Sequence, residues 1–223
     1  MIKEDIRLLE KEYLTDDVMS LKFEKPTDFS FEPGQYIALR MMKEGRTRMR
    51  QYSIASVDTD PYIEIIAKLV DGGLASDHFK SMEIGDSIPM RGPMGEFMLQ
   101  DGKKHKFIAV GTGMVPFYSM VRKYVPLMKD KRFSLLAGYR YAKNILCDDV
   151  LKSLADENDN FDYSVTLTRD EWKGKKGRVQ QHIEVDGDEV FYICGLKALV
   201  DDTVTLLKEK GVPQDRIVVE KYD

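Results

Sequence analysis

Up to about residue 100 the apolar positions recur with the two-residue period of a strand. Residues 18–23 alternate Val18, Ser20 and Lys22 against Met19, Leu21 and Phe23, and similar runs follow at 35–40, 62–70 and 87–91. Turn chemistry separates them: Phe31-Glu32-Pro33-Gly34, Asp71-Gly72-Gly73 and Gly92-Pro93 pair a fixed φ or a permissive glycine with each reversal. The one helical pattern, residues 75–84, sets Leu74, His78, Phe79 and Met82 at roughly helical spacing. Short strands with little helix predict a small antiparallel barrel or sandwich. Beyond Lys103-Lys104-His105-Lys106 the pattern changes. Residues 107–110 form a continuous apolar run, as in a strand buried on both faces. Strands are predicted at 133–139, 163–168, 190–194 and 217–220, with helices at 115–128, 145–155, 179–183 and 198–210 between them. This alternation predicts a parallel sheet with helices on both faces. The change near residues 100–106 marks a domain boundary.

Composition narrows the class. The chain has 223 residues, 43% hydrophobic and 32% charged, as in a globular protein rather than a disordered one. No apolar run approaches the ~20 residues of a membrane span. The first residues, Met1 to Arg7, are charged and lack an apolar signal core, so a cytoplasmic location is expected. Cys147 and Cys194 are too few for a disulfide framework or a zinc site. His78, His105 and His182 are too scattered to ligate a metal and read as surface or capping residues. The formal charge of −4 gives no footprint for nucleic acid.

Chemistry-bearing residues concentrate in four places. In Arg50-Gln51-Tyr52-Ser53-Ile54-Ala55-Ser56 an extended backbone puts Arg50, Tyr52 and Ile54 on one face and Gln51, Ser53 and Ala55 on the other. A cation that grips phosphate oxygens, two residues from a ring that stacks, suggests a bound dinucleotide. Alone, the stretch reads first as an ordinary strand with a surface Arg and a core Tyr. Lys43, Arg46, Arg48 and Arg50 form a basic patch around it, either a solvated turn or a rim that steers an acidic partner. Gly111-Thr112-Gly113 ends a buried strand and opens a helix, where backbone amides favour phosphate. Pro116 replaces the third glycine of the dinucleotide fingerprint, and the acid expected about 20 residues on is absent. A tight turn and a nicotinamide nucleotide in another pose both remain open. Arg169 and Arg178 fall near the carboxyl edge of the sheet, as two solvated arginines or as a grip on a ribose 2′-phosphate. Cys194 ends a buried strand without the partners of a nucleophile, so it reads as a small buried hydrophobe.

The order of these motifs resembles the ferredoxin–NADP reductase family of FAD-dependent oxidoreductases over nearly the whole chain. The residues that carry the resemblance are Pro33-Gly34-Gln35-Tyr36, Arg50-x-Tyr52-Ser53-x-x-Ser56, Gly73-x-x-Ser76 and Arg91-Gly92-Pro93-x-Gly95-x-Phe97. Gly111-Thr112-Gly113-x-x-Pro116, Cys194-Gly195-Leu196-Lys197 and Val219-Glu220-Lys221-Tyr222 follow in family order. The resemblance implies a six-stranded antiparallel β-barrel that binds FAD over residues 1–102. It also implies a Rossmann-like α/β parallel-sheet domain that binds NAD(P) over residues 103–223.

Roles follow position by position. Arg50 would bind the FAD pyrophosphate, helped by Ser76 and the amides after Gly72-Gly73. Ala75 stands where some members place a hydroxyl near those phosphates. Tyr52 would lie against the isoalloxazine, with Ser53 near its hydride-accepting N5. Gly111, Thr112, Gly113 and Pro116 would receive the NAD(P)H pyrophosphate. Cys194, Gly195, Leu196 and Glu220 would border the nicotinamide, Ser53 and Glu220 would pass protons, and Tyr222 would cover the other flavin face. Thr168-Arg169-Asp170 and Gly177-Arg178 look like the segments that hold a 2′-phosphate, which favours NADPH and leaves NADH possible. The implied activity is hydride transfer from NADPH to FAD, then single-electron transfer to an acidic ferredoxin or flavodoxin. A monomer or weak dimer is expected, with no metal. Two alternatives are a flavin or quinone reductase and a non-catalytic electron-transfer subunit of a larger complex.

Overall fold

The computed structural model describes residues 2–43 and 45–222, apart from the side chains of Lys43 and Arg46. The chain divides into two units, Met1–Met98 and Leu99–Asp223. The first unit contains β1 (Ile2–Thr15), β2 (Val18–Glu24), β3 (Tyr36–Lys43), β4 (Arg46–Ser53), β5 (Tyr62–Lys68), α1 (Leu74–Ser81) and β6 (Ser87–Met94). Its six strands run β4-β3-β6-β1-β2-β5, and every neighbouring pair is antiparallel. An antiparallel bridge between Ile54 and Ile65 joins the two ends, so the sheet closes into a barrel. The core is apolar: Ile6, Leu21, Phe23, Ile37, Leu39 and Ile63 are all but inaccessible to solvent. Helix α1 contributes Phe79 to the same cluster.

The alternation rule finds β2, β3, β5 and β6 but misses β1. That strand carries seven charged residues, and among its side chains only Ile6, Leu8 and Thr15 are buried. Its residues Ile2–Arg7 pair with β6, whereas Leu8–Thr15 pair with β2. Burial on β1 therefore follows from strands distant in sequence rather than from a local period.

The second unit contains β7 (Lys104–Val110), α2 (Val115–Leu127), β8 (Arg132–Tyr139), α3 (Asp148–Glu157), β9 (Phe161–Leu167), β10 (Lys175–Lys176), β11 (Val190–Leu196), α4 (Lys197–Glu209) and β12 (Ile217–Tyr222). The sheet order is β10-β9-β8-β7-β11-β12, all parallel. Successive residues of β7 face opposite cores. Phe107 stacks on Phe117 of α2 with ring centroids 4.9 Å apart, while Ile108 joins Leu136, Phe191, Val200 and Leu207. This double burial explains the continuous apolar run. Gln100 belongs to this unit because its N–H donates to the Tyr192 hydroxyl at 2.8 Å.

Four expectations are corrected here. Residues 179–183 form not an α-helix but one 3-10 turn, Val179–His182, since so short a segment cannot offset the cost of helix nucleation. Helix α3 starts at Asp148 rather than residue 145, because Cys147 before it is left-handed (φ 54°). The two-residue strand β10 was not anticipated. His105 is not a surface residue: it is 1% exposed and stacks on Phe133 with ring centroids 5.1 Å apart. Strand alternation turns it inward between Lys104 and Lys106.

Candidate functional site

In the barrel unit, the register of β3 and β4 orients the basic-aromatic motif. Met41 pairs with Arg48, Leu39 with Arg50 and Ile37 with Tyr52. Directly paired residues project from the same side of a sheet. Arg48, Arg50 and Tyr52 therefore share the side of the core residues Met41, Leu39 and Ile37. Tyr52 is half-buried against Phe79 of α1, edge-on at 5.3 Å between centroids. Burial pushes its phenol up to about 12, against an opposing pull from the Arg50 charge, so it stays neutral. Arg50 is exposed; its guanidinium donates to the Met49 carbonyl of its own strand at 3.1 Å. Ser53, on the opposite face, is buried beside its pair Tyr36. Tyr36 in turn accepts a hydrogen bond from the Gln51 amide at 3.3 Å.

Gly73 caps α1, and the amides of the first helical turn have no intrahelical acceptor. These amides and the Arg50 guanidinium are each donors of the kind that suit a diphosphate. Gly72 leaves open space where a Cβ would stand, so the backbone there is accessible. Ala75 is half-buried against the core. Ser76 sits differently from what its place in the motif suggests. It is 2% exposed, and its hydroxyl accepts the Val70 N–H at 2.7 Å, which closes the turn ahead of α1. On these donors and this open cradle the unit fits FAD.

In the α/β unit, Gly111–Met114 form a 3-10 turn that runs from the end of β7 into α2. Gly111 is left-handed (φ 57°) with open space where a Cβ would stand, so its surface is free for a ligand. Gly113 is enclosed: a Cβ there would lie 2.8 Å from the Cys194 carbonyl carbon. The turn can thus lie against the end of β11 only with glycine at this position. Thr112 is half-buried, and Pro116 is buried in the first turn of α2.

Cys194 pairs with Glu220 across β11 and β12. Its Sγ lies 3.9 Å from Glu220 Oε1. Burial, then the Glu220 charge, raise the thiol well above its ordinary value, while a hydrogen bond with Tyr222 acts the other way. The sulfur stays protonated at neutral pH and is no nucleophile. Gly195 is buried beside it, whereas Leu196 is 65% exposed at the strand end. Tyr222 pairs with Leu196.

The two candidate phosphate arginines are brought together by β10. Its Lys175 and Lys176 pair with Thr166 and Leu167 of β9. The Gly177 N–H donates to the Leu167 carbonyl at 2.9 Å, and the Thr166 hydroxyl donates to the Gly177 carbonyl at 2.7 Å. Arg169 and Arg178 thus each stand two residues beyond the last paired position, on strands about 5 Å apart. The Thr168 and Arg169 amides donate to Tyr139 and Arg140 carbonyls at 3.1 and 2.9 Å, which fixes the end of β9. Asp170 accepts the Ala142 N–H at 2.9 Å and holds the loop from the other side. Both guanidiniums are exposed, and neither makes an ion pair among the described residues. Two adjacent unpaired arginines suit a phosphate monoester. Sequence reasoning found both, with Asp170 in the same segment, but missed the Asp170 bond to Ala142 and the strand β10, which position them; no local pattern signals a two-residue strand.

Residues 5–99 match the model of the oxidoreductase FAD-binding domain, and residues 107–205 that of the oxidoreductase NAD-binding domain. Ferredoxin--NADP reductase B of Sorangium cellulosum is 32% identical over 98% of this chain and 97% of its own length. The toluate 1,2-dioxygenase electron transfer component of Pseudomonas putida is 29% identical over 92% of this chain, which spans 62% of that protein. The ferredoxin NADP+ reductase from Neisseria gonorrhoeae with bound FAD and NADP superposes with a TM-score of 0.89 at 21% identity over 98% of each chain. The Amycolatopsis cytochrome P450 reductase GcoB gives a TM-score of 0.89 at 25% identity over 98% of this chain and 70% of its own. No helix among the described residues is long and apolar enough to cross a membrane.

Proposed function

The chain belongs to the ferredoxin–NADP reductase family of FAD- and NAD(P)-binding oxidoreductases, and from that premise we propose that it oxidises NADPH and delivers single electrons to a separate acidic carrier protein of the ferredoxin or flavodoxin type. When bound, FAD supplies the hydride acceptor and the store from which electrons leave one at a time. Arg50 and the α1 amides hold its diphosphate, Tyr52 offers a neutral ring to its flat face, and Ser53 serves its hydride-accepting nitrogen. Gly111 to Gly113 receive the diphosphate of the nucleotide. Cys194, as a thiol, and Glu220, as a carboxylate, border the nicotinamide; Glu220 and Ser53 hold and return protons. Tyr222 is assigned to the ring stack that nicotinamide must displace.

The observation that carries NADPH over NADH is the adjacent, unpaired pair Arg169 and Arg178. The acidic carrier is supported by the sequence of the β3–β4 hairpin, which holds Arg40, Lys43, Arg46, Arg48 and Arg50 with a single acid, Glu44, in a chain of net charge −4. Glu44 and the side chains of Lys43 and Arg46 lie outside the described residues. The chain has two cysteines, short of the four that hold an iron–sulfur cluster, so the carrier brings its own redox centre. A cytoplasmic location belongs to the same proposal. The relative named an electron transfer component of a dioxygenase favours a second reading, in which the carrier serves an oxygenase.

An absorbance spectrum of the purified protein followed by NADPH and NADH titration tests the cofactors. Arg178→Ala is expected to raise the KM for NADPH about tenfold, the loss of one charge-assisted contact, and to leave that for NADH unchanged. Equal effects on both would sink the 2′-phosphate assignment. A carrier-reduction rate indifferent to salt would sink the acidic carrier.

A further inference from the structure

Residues 168–174 join β9 to its parallel neighbour β10, and most of this connection lies between Arg169 and Arg178. Parallel strands ordinarily need a crossover of roughly a dozen residues or more, so this connection has little slack. Its start is tied down: the Arg169 N–H donates to the Arg140 carbonyl at 2.9 Å, and Asp170 accepts the Ala142 N–H at 2.9 Å. Its far end meets a short ladder, the paired residues Lys175 and Lys176 and the bonds of Gly177 to Leu167 and Thr166. So short a ladder leaves its register to the length and shape of the connection. A slip of one residue would turn the β10 side chains to the opposite face and carry Arg178 about 3.3 Å along the strand.

Two side-chain contacts shape the connection. Lys176 and Glu171 form an ion pair at 2.9 Å, but Glu171 is 97% exposed, and a pair in water holds little. The other contact is made by Trp172, the only tryptophan of the chain, half-buried and two residues before Gly174. Its indole lies so close over Gly174 that a Cβ there would stand 2.3 Å from Nε1 and 2.6 Å from Cε2. A rigid ring seated on bare backbone fixes how far the chain travels between Asp170 and Lys175. The indole N–H takes no part: Nε1 is buried and has no hydrogen-bond partner among the described residues. A buried tryptophan usually finds one. The ring therefore acts through its shape and not through a bond.

We propose that Trp172, seated on Gly174, is a positioning residue that favours the 2′-phosphate nucleotide by setting the register of β10 and with it the place of Arg178. The inference rests on the assignment of Arg169 and Arg178 to that phosphate. The effect passes through the backbone, from the indole to Gly174, to Lys175 in its pairing with Thr166, and on to Arg178. Arg169 is held separately, through Arg140 and through Asp170 on Ala142. Loss of the indole therefore displaces one arginine relative to the other. Charge-assisted donors grip a phosphate only at matched positions, so the displacement weakens NADPH and spares NADH, which has a hydroxyl in place of that phosphate.

The test compares KM for NADPH with KM for NADH in the full chain loaded with FAD, with ferricyanide as the acceptor. Trp172→Ala is expected to raise the KM for NADPH about fivefold and to leave kcat and the KM for NADH within about twofold, at parental flavin content. Gly174→Ala drives the ring off its seat from the other side and should give the same split, so it carries the test if Trp172→Ala does not fold. Trp172→Phe keeps a ring over Gly174 and gives up only an unbonded N–H, so it should retain the parental KM for NADPH. A merely structural tryptophan would lower thermal stability in the alanine variants and leave the ratio of the two KM values unchanged, which would overturn the proposal. Trp172→Phe as impaired toward NADPH as Trp172→Ala would overturn it as well, because shape would not be what the ring supplies. Arg178→Ala separates the two levels of the argument. A shifted ratio in Arg178→Ala beside an unshifted one in both alanine variants would overturn the role of Trp172 and leave the phosphate assignment standing. An unshifted ratio in Arg178→Ala would overturn both.

Discussion

In the barrel unit the proposed cofactor contacts are mainly side chains on one strand, Arg50, Tyr52 and Ser53 on β4. In the α/β unit they are mainly backbone, the turn Gly111–Met114 set against the end of β11. The barrel site is a set of functional groups displayed at a strand edge, so one group can be removed with the strand left in place. The α/β site exists only because two backbone segments approach closely, so adding a single carbon disturbs fold and site together. A binding surface made of side chains separates affinity from stability; one made of backbone couples them.

The sharpest way to break this contrast is at Gly113. A Cβ there would sit 2.8 Å from the Cys194 carbonyl carbon and 3.0 Å from the Gly195 Cα. Gly113→Val is expected to destabilise the α/β unit by about 3 kcal/mol, the upper range for overpacking. Thermal unfolding followed by circular dichroism measures the loss, and flavin content per chain shows whether the barrel still holds FAD. A variant with parental stability would mean the turn shifts freely, and the contrast would fail.

The matching change in the barrel is Arg50→Ala. Loss of a charged hydrogen-bond donor to phosphate is expected to weaken FAD binding roughly 30-fold, about 2 kcal/mol, with no change in far-ultraviolet circular dichroism. A variant that stays fully yellow through gel filtration would remove Arg50 from the phosphate site. A loss of fold along with flavin would show the barrel site to be as coupled as the other.

The units also differ in what they bury. Among the described residues the barrel unit buries hydroxyls such as Ser20, Ser56 and Ser76 but no titratable side chain, whereas the α/β unit buries His105, whose Nε2 lies 3.2 Å from the Gly102 carbonyl. Burial first, then the charge of Lys131, push its imidazole down to about 4, against the raising effect of the Gly102 bond. The folded value lies below the ordinary 6.5, so between the two the unfolded chain binds more protons. Its contribution to stability is therefore complete above pH 6.5 and is lost as pH falls toward 4. Denaturant unfolding should show about 1–2 kcal/mol less stability at pH 5 than at pH 7 from this group. His105→Gln should reduce that difference, whatever its effect on stability at pH 7. An undiminished slope would place the acid sensitivity elsewhere.

The smallest effect concerns the two cysteines. Cys194 is buried with its thiol held protonated, and Cys147 is partly exposed. Iodoacetamide should label Cys147 several-fold faster than Cys194 in the native protein, as peptide mass mapping would show. Preferential labelling of Cys194 would contradict its burial at the end of β11.

The legible parts of the chain were those with a local period or a distinctive local chemistry. Alternation in β2, β3 and β5, the apolar run of β7, and the residues from Arg50 to Ser53 each declare themselves within a few positions. What escaped was set by distant partners. β1 shows little alternation because its two halves answer to different strands. His105 looked like part of a lysine-rich surface turn, because inward and outward positions cannot be told apart until the strand is placed. Ser76 had a place in a phosphate motif, but the Val70 amide already occupies a lone pair of its hydroxyl.

From its sequence alone this protein is determined to be a β-rich unit followed by a parallel α/β unit, with motif residues at the ends and edges of strands where ligands bind. The reason is that side-chain period and turn chemistry are local and survive in a linear string. Tertiary structure alone decided that Arg169 and Arg178 follow the paired ends of β9 and β10, and that Gly113 touches β11. Those proximities depend on sheet register and close packing between residues far apart in the chain. Hydrogen bonding and burial choose them only when the whole unit folds.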